Sequence, residues 1–350
     1  MDLNAHVEAL HQKAITVNAH FDLTYDIANK RDRGRRNVVE TDYLHDFRSS
    51  GFNLIVSSIF IHQYFLPEMG LRKSLDQISY LFQEMEESPG ALRLCKTPAD
   101  VQKARAEGQV GVMLSFEGVD PIQDDINLLR VFYELGVRGV GLTWSRRNHA
   151  GDGSFFGPVR EGRKGGLTPF GIKVVETAEA LGMFIDVSHL NDEGFEDVMA
   201  IAQQPVIASH SNCRALVNCM RNLTDRQIEA IARTGGVIGM NAISAFTGDT
   251  TAGGKRLNAE DLLDHVDHIV KVAGVEHVGL GFDFCDSFKN YLTMEESLVT
   301  YDVVPGHGGL SEFTAGLIRR GYSDEEILLI LGGNFMRVFK AVLENDAGGK

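Results

Sequence analysis

Six histidine and carboxylate side chains are the residues of this sequence whose types and positions could carry chemistry. Each lies at or just beyond the end of a short apolar run, and they are His20, Asp22, Glu117, His189, His210 and Asp283. Neutral imidazole and carboxylate groups are ligands that zinc and related divalent cations bind in proteins. Buried carboxylates are costly without a cation nearby. The set therefore predicts a metal site.

The first pair of these residues has a spacing that suits a shared ion. His20 and Asp22 are separated by one residue, so their side chains point to the same side of a strand and can reach one ion together. Three imidazoles and three carboxylates are more ligands than one tetrahedral ion needs, and a carboxylate can bridge two ions through its two oxygens. The set suits a two-metal site that activates a water and polarises a carbonyl.

The elements that must position these residues form a repeating pattern. Short runs rich in Val, Ile, Gly and Phe alternate with longer amphipathic segments, as parallel strands buried on both faces alternate with helices. Eight such repeats predict an α/β fold, a (β/α)8 TIM-type barrel whose strand ends meet at one mouth, with a doubly wound open sheet as the alternative. The predicted strands are 15–20, 52–61, 111–116, 139–144, 183–189, 206–210, 237–242 and 278–284.

Helix start signals follow several of these runs. Thr168 precedes a proline and an apolar stripe, and Asn191, Thr224 and Asn258 stand at equivalent N-cap positions. His265, in the helix that Asn258 opens, has His268 one turn later, and we interpret this pair as a solvated helix face. Extra C-terminal helices are predicted over 311–320, 324–331 and 334–343.

Two segments break the alternation and are predicted to be loops over the barrel mouth. Residues 29–36 are rich in Arg and Asp, and residues 149–166 are rich in Gly and charge. Barrel active sites are built from such loops. Because no Pro/Ser-rich linker divides the chain, we predict a single (β/α)8 barrel metallohydrolase domain over residues 1–350.

Composition limits the classes of partner. The formal net charge of −14 argues against binding to nucleic acid or to an anionic membrane, which require clustered Lys and Arg. Four cysteines without a CxxC pair indicate free thiols in a reducing compartment. With no secretory signal and no bilayer-spanning run, the expectation is a cytoplasmic protein. A homodimer is expected because most soluble enzymes with more than one subunit are symmetric homo-oligomers.

Several motifs, in one order along nearly the whole chain, make a specific match to a known family. The sequence resembles the membrane (renal) dipeptidase family of zinc peptidases, within the amidohydrolase superfamily. The matching motifs are HFD ending at Asp22, SFEG around Glu117, DVSH ending at His189, SHS around His210, Arg221-Asn222, GFDF around Asp283, and the closing GGNFMRVF.

The resemblance implies a role for each metal-type residue. His20 and Asp22 would bind one zinc ion, His189 and His210 the other, and Glu117 would bridge both. The same residues could also bind other divalent metals.

The resemblance also implies the reaction, which is zinc-dependent hydrolysis of dipeptides, including those with a D-residue on the carboxyl side, by a metal-bridged hydroxide. Asp283 would hold the bridging water and pass its proton to the leaving amine, so that Asp283 and Glu117 are the predicted catalytic residues. Arg221 would grip the substrate carboxylate through its forked guanidinium.

One departure from the family pattern affects specificity. Renal members place a histidine in an LTH motif against the tetrahedral oxygen, whereas this sequence has Leu142-Thr143-Trp144. Arg146, Asn148 or His149 could substitute for that histidine, and we select His149 as a substrate-binding candidate, with Trp144 as pocket wall.

The departure leaves alternatives open. The alternative substrate is another small amide such as an N-acyl amino acid, a lactam or a modified biosynthetic peptide. An inactive metal-bound binding protein is disfavoured, because all the ligands and Asp283 are present.

Overall fold

The computed structural model describes residues 2–155, 164–248, 256–288 and 300–344. Within them, nine short strands pair in parallel in one sheet. They are β1 (Thr16–Phe21), β2 (Phe52–Phe60), β3 (Leu92–Leu94), β4 (Val110–Glu117), β5 (Val137–Gly141), β6 (Phe184–Asp186), β7 (Val206–Ile207), β8 (Ile238–Met240) and β9 (Val278–Leu280).

Eight of these strands form a nearly closed barrel. The pairing order is β7-β6-β5-β4-β2-β1-β9-β8, and a parallel bridge between Ala208 and Ile238 joins the two ends. The Ala208 amide donates to the Val237 carbonyl at 3.0 Å, and the Gly239 amide donates to the Ala208 carbonyl at 2.8 Å. The predicted (β/α)8 barrel is therefore confirmed and the open doubly wound sheet is excluded. Strand β3 was not predicted; it pairs with the first residues of β4, outside the ring.

The close approach of the strands where β7 meets β8 and the barrel closes depends on glycine. A Cβ added to Gly239 would lie 2.0 Å from the Ser209 carbonyl oxygen, and one added to Gly281 would lie 1.6 Å from it. Both distances are far below van der Waals contact, so only glycine lets the ends of β8 and β9 come this near β7. The residue after Ser209 is His210, so these glycines also fix where a predicted metal ligand lies.

Fifteen α-helices surround the strands within the described residues, and none of them is long and apolar enough to span a bilayer. They are α1 (Leu3–Lys13), α2 (Leu23–Asp32), α3 (Val38–Asp42), α4 (Leu44–Ser49), α5 (Gly70–Glu87), α6 (Pro98–Ala106), α7 (Asn127–Leu135), α8 (Pro169–Ala180), α9 (Asp192–Ile201), α10 (Asp225–Arg233), α11 (Ser244–Thr247), α12 (Ala259–Ala273), α13 (Leu310–Arg319), α14 (Asp324–Leu328) and α15 (Asn334–Leu343).

The helix starts follow the capping signals of the sequence. The side chains of Thr168, Asn191, Thr224 and Asn258 accept hydrogen bonds from backbone amides in the first turns of α8, α9, α10 and α12. These side chains satisfy amides that have no partner inside the helix. The extra C-terminal helices are also present as α13, α14 and α15, with a π-helical turn at Leu329–Gly333 between the last two.

One predicted mouth loop is partly helical. Residues 29–32 form the last turn of α2, and only the residues after Asp32 turn away. Arg31 is buried there and forms ion pairs with Glu84 at 2.5 Å and Glu87 at 2.8 Å, both on α5. Because this pairing joins positions more than 50 residues apart, local composition did not reveal it. In the second predicted loop, 149–166, the described residues contain no helix, and residues 156–163 lie outside the described part.

The prediction of a solvated face for α12 is wrong at His265. This imidazole is buried, accepts the Cys213 amide at 3.0 Å through Nδ1, and lies 3.0 Å from the Thr247 carbonyl through Nε2. Its two ring nitrogens tie α12 to the segments after β7 and β8. All four cysteines are free thiols, as expected.

The C-terminal helix covers the end of the barrel where the strands begin. Asn334 at the start of α15 donates to the carbonyls of Val275 and Val278, both at 2.8 Å, beside the start of β9. Phe335 and Phe339 of α15 are fully buried in a core cluster with strand residues such as Phe184, whose ring lies 5.2 Å from that of Phe339. Apolar rings therefore fill this end of the barrel.

Candidate metal centre and active site

The six metal-type residues all lie at the C-terminal ends of barrel strands. Glu117 is the last residue of β4, and His20 and Asp22 bracket the last residue of β1. The other three each follow a strand by three residues, and they are His189 after β6, His210 after β7 and Asp283 after β9. The fold therefore brings them to one mouth, as the strand-end positions predicted.

Glu117 lies at the centre of the histidines. Its Oε1 is 3.0 Å from His189 Nε2, 3.6 Å from His20 Nε2 and 3.7 Å from His210 Nε2. The His20 and His210 rings stack with centroids 3.6 Å apart, and the Nε2 atoms of His189 and His210 are 2.9 Å apart. One carboxylate thus faces three imidazole nitrogens.

Two overlapping groups of ligand atoms share His20. One group is His20, Glu117 and His210, the other is His20, Asp22 and Asp283, and the ligand atoms within each group lie within 4.8 Å of one another. The distance from His20 Nε2 to Asp283 Oδ1 is 3.7 Å. Asp283 therefore lies among possible metal ligands, as its inclusion in the six-residue set predicted, and the resemblance assigns it the role of proton carrier.

Two buried atoms of this cluster have no hydrogen-bond partner. They are His20 Nε2 and Glu117 Oε2. A buried polar atom without a partner is costly, and such atoms are rare in folded proteins. A divalent cation would accept the lone pairs of both atoms. The donor set of imidazole nitrogen and carboxylate oxygen therefore fits a divalent metal.

A serine hydroxyl orients each of two imidazoles. Ser145 Oγ lies 2.7 Å from His189 Nδ1, and Ser209 Oγ lies 2.6 Å from His210 Nδ1. The Ser209 hydroxyl also donates to Asp186, and a hydroxyl has only one proton, so it must accept from His210 Nδ1–H. The Nε2 lone pair of His210 then faces the cluster, as metal binding requires.

The backbone is strained at two of the six residues. His189 and Asp283 have φ of 69° and 55°, and they are two of four non-glycine residues with positive φ in the described chain. Such a conformation costs about 1 to 3 kcal/mol per residue and is found mostly at functional sites. The Ser154 amide donates to the His189 carbonyl at 2.6 Å, and Asn241 Nδ2 donates to Asp283 Oδ2 at 2.9 Å.

Burial shifts the pKa of every titratable group in the cluster. Burial, with the charge of Asp22, raises the pKa of Glu117 and of Asp283 well above the ordinary range, and burial raises that of Asp22 to about 6. Burial, with the charge of Arg221, lowers the pKa of His20 to about 3. The imidazoles are therefore neutral, and the crowded carboxylates bind either protons or cations.

Arg221 lies beside the cluster without a carboxylate partner. The residue is 4% exposed, its Nη1 donates to Ser211 Oγ at 2.9 Å and its Nη2 to the His210 carbonyl at 2.7 Å. Its Nε is buried without a hydrogen-bond partner. The charges of Asp283, Asp186 and Glu117 attract it from beyond ion-pair distance, and no direct ion pair to Arg221 is found among the described residues. A buried cation without a directly bonded anion is unfavourable, so this arginine suits an anionic ligand.

The candidate residues between Trp144 and His149 separate into two groups. The Trp144 ring stacks on that of His189 with centroids 5.9 Å apart, and the Arg146 guanidinium lies 5.2 Å from the Trp144 ring. Asn148 instead donates to the Leu142 carbonyl at 2.9 Å and shapes its own loop. His149 is exposed, and no contact between its imidazole and the cluster is found among the described residues. The structure thus brings Trp144 to the site and leaves His149 outside it.

Three supporting residues were missed by sequence reasoning. Ser145, Asp186 and Asn241 hold His189, His210 and Asp283, respectively, directly or through Ser209. Asn241 follows directly after β8, so a polar residue at the end of a predicted strand was the available signal. Asp186 offered the same signal, because it ends β6 and opens the DVSH motif, whereas Ser145 lies in a loop and carried none.

Known proteins resemble this chain along most of its length. A family model described as "Membrane dipeptidase (Peptidase family M19)" matches residues 4–348. An uncharacterized protein in the pqqA 5' region of Klebsiella pneumoniae is 34% identical over 272 residues, 76% of this chain and 94% of that protein. Dipeptidase tcpJ of Claviceps purpurea (strain 20.1) is 28% identical over 281 residues, which cover 80% of this chain but only 62% of that protein.

Solved structures share the fold over nearly the whole chain. A structure described as the dipeptidase AC, a metallo peptidase of family M19, superposes with a TM-score of 0.82 at 25% identity, covering 94% of this chain and 98% of that one. A metallo peptidase from Rhodobacter sphaeroides, liganded with a phosphinate mimic of the dipeptide L-Ala-D-Ala, superposes with a TM-score of 0.81 at 24% identity, covering 94% and 99%. With the family match across the chain, these findings establish that the protein belongs to the membrane dipeptidase family, peptidase family M19, whose members are metallo-dipeptidases.

Proposed function

We propose that this protein hydrolyses dipeptides with a free carboxylate, L-D dipeptides among them, using two zinc ions at the barrel mouth. The observation that carries the proposal is the buried Arg221, which forms no direct ion pair among the described residues and lies beside a cluster of imidazoles and carboxylates. A substrate carboxylate would supply the missing anion. The scissile amide, one residue away, would then lie at the cluster.

The proposed metal ligands divide as the family resemblance implies. His20 and Asp22 would hold one ion, His189 and His210 the other, and Glu117 both. The 3.0 to 3.7 Å distances from Glu117 Oε1 to the three imidazoles support the central position of this carboxylate. When bound, divalent ions polarise a carbonyl and lower the pKa of a water to near neutrality.

Asp283 is the proposed proton carrier. Asn241 holds its Oδ2, and Oδ1 lies 3.7 Å from His20 Nε2, beyond hydrogen-bond distance, so Oδ1 can accept a proton from water. Burial, with the charge of Asp22, raises the pKa of this carboxyl, which favours proton uptake. The same oxygen would then return the proton to the leaving amine. Its strained backbone is consistent with a fixed orientation.

A second candidate function is hydrolysis of an N-acyl amino acid or another small amide. It is favoured by Trp144, which takes the place of the histidine of the renal members and stacks on His189. Such substrates keep the carboxylate for Arg221 and differ only on the amino side of the amide.

A hydrolysis screen tests the proposal. The purified protein is given L-Ala-D-Ala, L-Ala-L-Ala, N-acetyl-D-Ala and the carboxamide of L-Ala-D-Ala, with zinc and after chelation. We expect zinc-dependent cleavage of a free dipeptide and poor cleavage of the carboxamide. Cleavage of N-acetyl-D-Ala alone would favour the second candidate, and equal cleavage of the carboxamide would contradict the role of Arg221.

A further inference from the structure

A row of aromatic rings leads from the proposed metal ligand His189 to the protein surface. The Trp144 ring lies 5.9 Å from His189, Phe60 lies 5.4 Å from Trp144, His62 lies 6.4 Å from Phe60, and Tyr64 lies 4.6 Å from His62. We call Trp144, Phe60, His62 and Tyr64 the aromatic wall. None of its four residues is a proposed metal ligand.

The outer three members of the aromatic wall lie on the opposite side of the mouth from Arg221, and Trp144, which follows β5, lies midway between the two sides. Phe60 is the last residue of β2, and Arg221 bonds to His210 and Ser211, directly after β7. The strands follow around the ring as β1, β2, β4, β5, β6, β7, β8 and β9, so β2 stands four places from β7. In a ring of eight, that is the diametrically opposite position.

The inner part of the wall is held rigidly. The Arg146 guanidinium lies 5.2 Å from the Trp144 ring and 5.8 Å from the Phe60 ring, its Nη2 donates to the Ile61 carbonyl at 2.9 Å, and it pairs with Asp120 at 3.3 Å. Its Nη1 is buried and has no hydrogen-bond partner. A rigid aromatic surface with a spare donor at its base resembles a binding surface more than core packing.

The outer end of the wall is open to solvent. Tyr64 is 74% exposed, and the nearby Phe65 and Met69 are 38% and 41% exposed. Phe60 is 4% exposed and His62 is 8% exposed. The wall therefore offers a half-buried ring, Trp144, beside His189 and an exposed ring, Tyr64, at its outer end, with two buried rings between them.

We propose that the aromatic wall is the subsite for the side chain on the amino side of the scissile amide and that it selects aromatic groups there. The inference rests on the proposed function. A dipeptide anchored by its carboxylate at Arg221, with its amide at the metal cluster, extends its amino-side residue across the mouth toward β2. An aromatic side chain there can stack on Trp144 and Phe60, whereas an alanine methyl gains little.

The preference of the wild-type protein is the first test. We expect kcat/KM for L-Phe-D-Ala to exceed that for L-Ala-D-Ala by roughly threefold to tenfold, the size of one or two aromatic contacts. Trp144→Leu should remove most of this preference, and Trp144→Phe, which keeps a ring, should retain more of it. Tyr64→Ala should lower kcat/KM for L-Phe-D-Ala more than for L-Ala-D-Ala. Equal losses for both dipeptides, or no preference in the wild type, would overturn the inference.

Direct binding provides a test that does not depend on turnover. Trp144 is the only tryptophan of the chain, so the tryptophan fluorescence comes from a ring of the wall. A hydrolysis-resistant reduced-amide analogue of L-Phe-D-Ala should change this fluorescence at concentrations several-fold lower than the analogue of L-Ala-D-Ala. If no dipeptide is cleaved but the aromatic analogue still binds more tightly, the proposed function is contradicted, and the inference that the aromatic wall binds aromatic side chains is supported. If alanyl dipeptides are cleaved and both analogues bind equally, the inference about the aromatic wall is contradicted and the proposed function is not.

Discussion

The two ends of the barrel differ in the side chains that they bury. At the end covered by α15, Phe335 and Phe339 are fully buried among apolar strand residues. At the mouth, His20 and Glu117 are also buried, but each carries an atom without a hydrogen-bond partner. The backbone at the mouth is also strained, because His189 and Asp283 have positive φ. One end therefore stabilises the fold, and the other stores unfavourable energy that bound metal and substrate would relieve.

Asp283→Asn should produce the largest loss of activity at the mouth. An asparagine keeps the shape and the bond to Asn241 but cannot take up and release a proton, so we expect kcat to fall by about 10²- to 10⁴-fold. The thermal midpoint should stay the same or rise, because a buried carboxyl with a raised pKa is removed. Kinetics and a thermal melt of the same metal-loaded sample measure both. An unchanged kcat would remove Asp283 from the proton path.

Phe335→Ala, at the other end of the barrel, should lower stability and leave activity intact. Truncating a fully buried aromatic side chain costs about 3 to 5 kcal/mol of the free energy of unfolding. The folded fraction should keep its kcat, because α15 lies far from the mouth. Urea unfolding and activity at low temperature separate the two quantities. A large loss of kcat in fully folded protein would contradict this division of the barrel.

Arg221→Ala should act mainly on binding. Without the guanidinium we expect KM for a dipeptide with a free carboxylate to rise by about 10- to 100-fold, as for a lost charged hydrogen bond. The carboxamide substrate is the matched control and should lose much less. Equal effects on both would show that Arg221 supports His210 and Ser211 rather than the substrate.

Ser209→Ala should produce the smallest effect at the mouth. The hydroxyl links Asp186 to His210 Nδ1, and loss of such a supporting bond typically costs 10- to 100-fold in metal affinity. Zinc titration against a competing chelator measures this affinity. Ser209→Thr, which keeps the hydroxyl, is the control. An affinity equal to that of the wild type would mean that packing alone orients His210.

The sequence revealed the strands and the metal-type residues because both are local signals. His210, for example, ends an apolar run, and the run alone predicts a strand whose end lies at the mouth. The contacts that were missed are long-range. Arg31 extends α2 because it meets α5, and His265 is buried because α12 packs on the segments after β7 and β8. His149 was selected by its type, but its loop directs it to solvent. The homodimer and the cytoplasmic location stay predictions.

The zinc content of the wild type and of Glu117→Ala tests the central claim most directly. Glu117 lies within 3.0 to 3.7 Å of three imidazole nitrogens, and we propose that it joins two ions. Elemental analysis after dialysis should find two zinc ions per wild-type chain and fewer than one in Glu117→Ala, with the fold retained by circular dichroism. Full zinc occupancy in folded Glu117→Ala, or no bound metal in the wild type, would contradict a shared metal centre at the mouth.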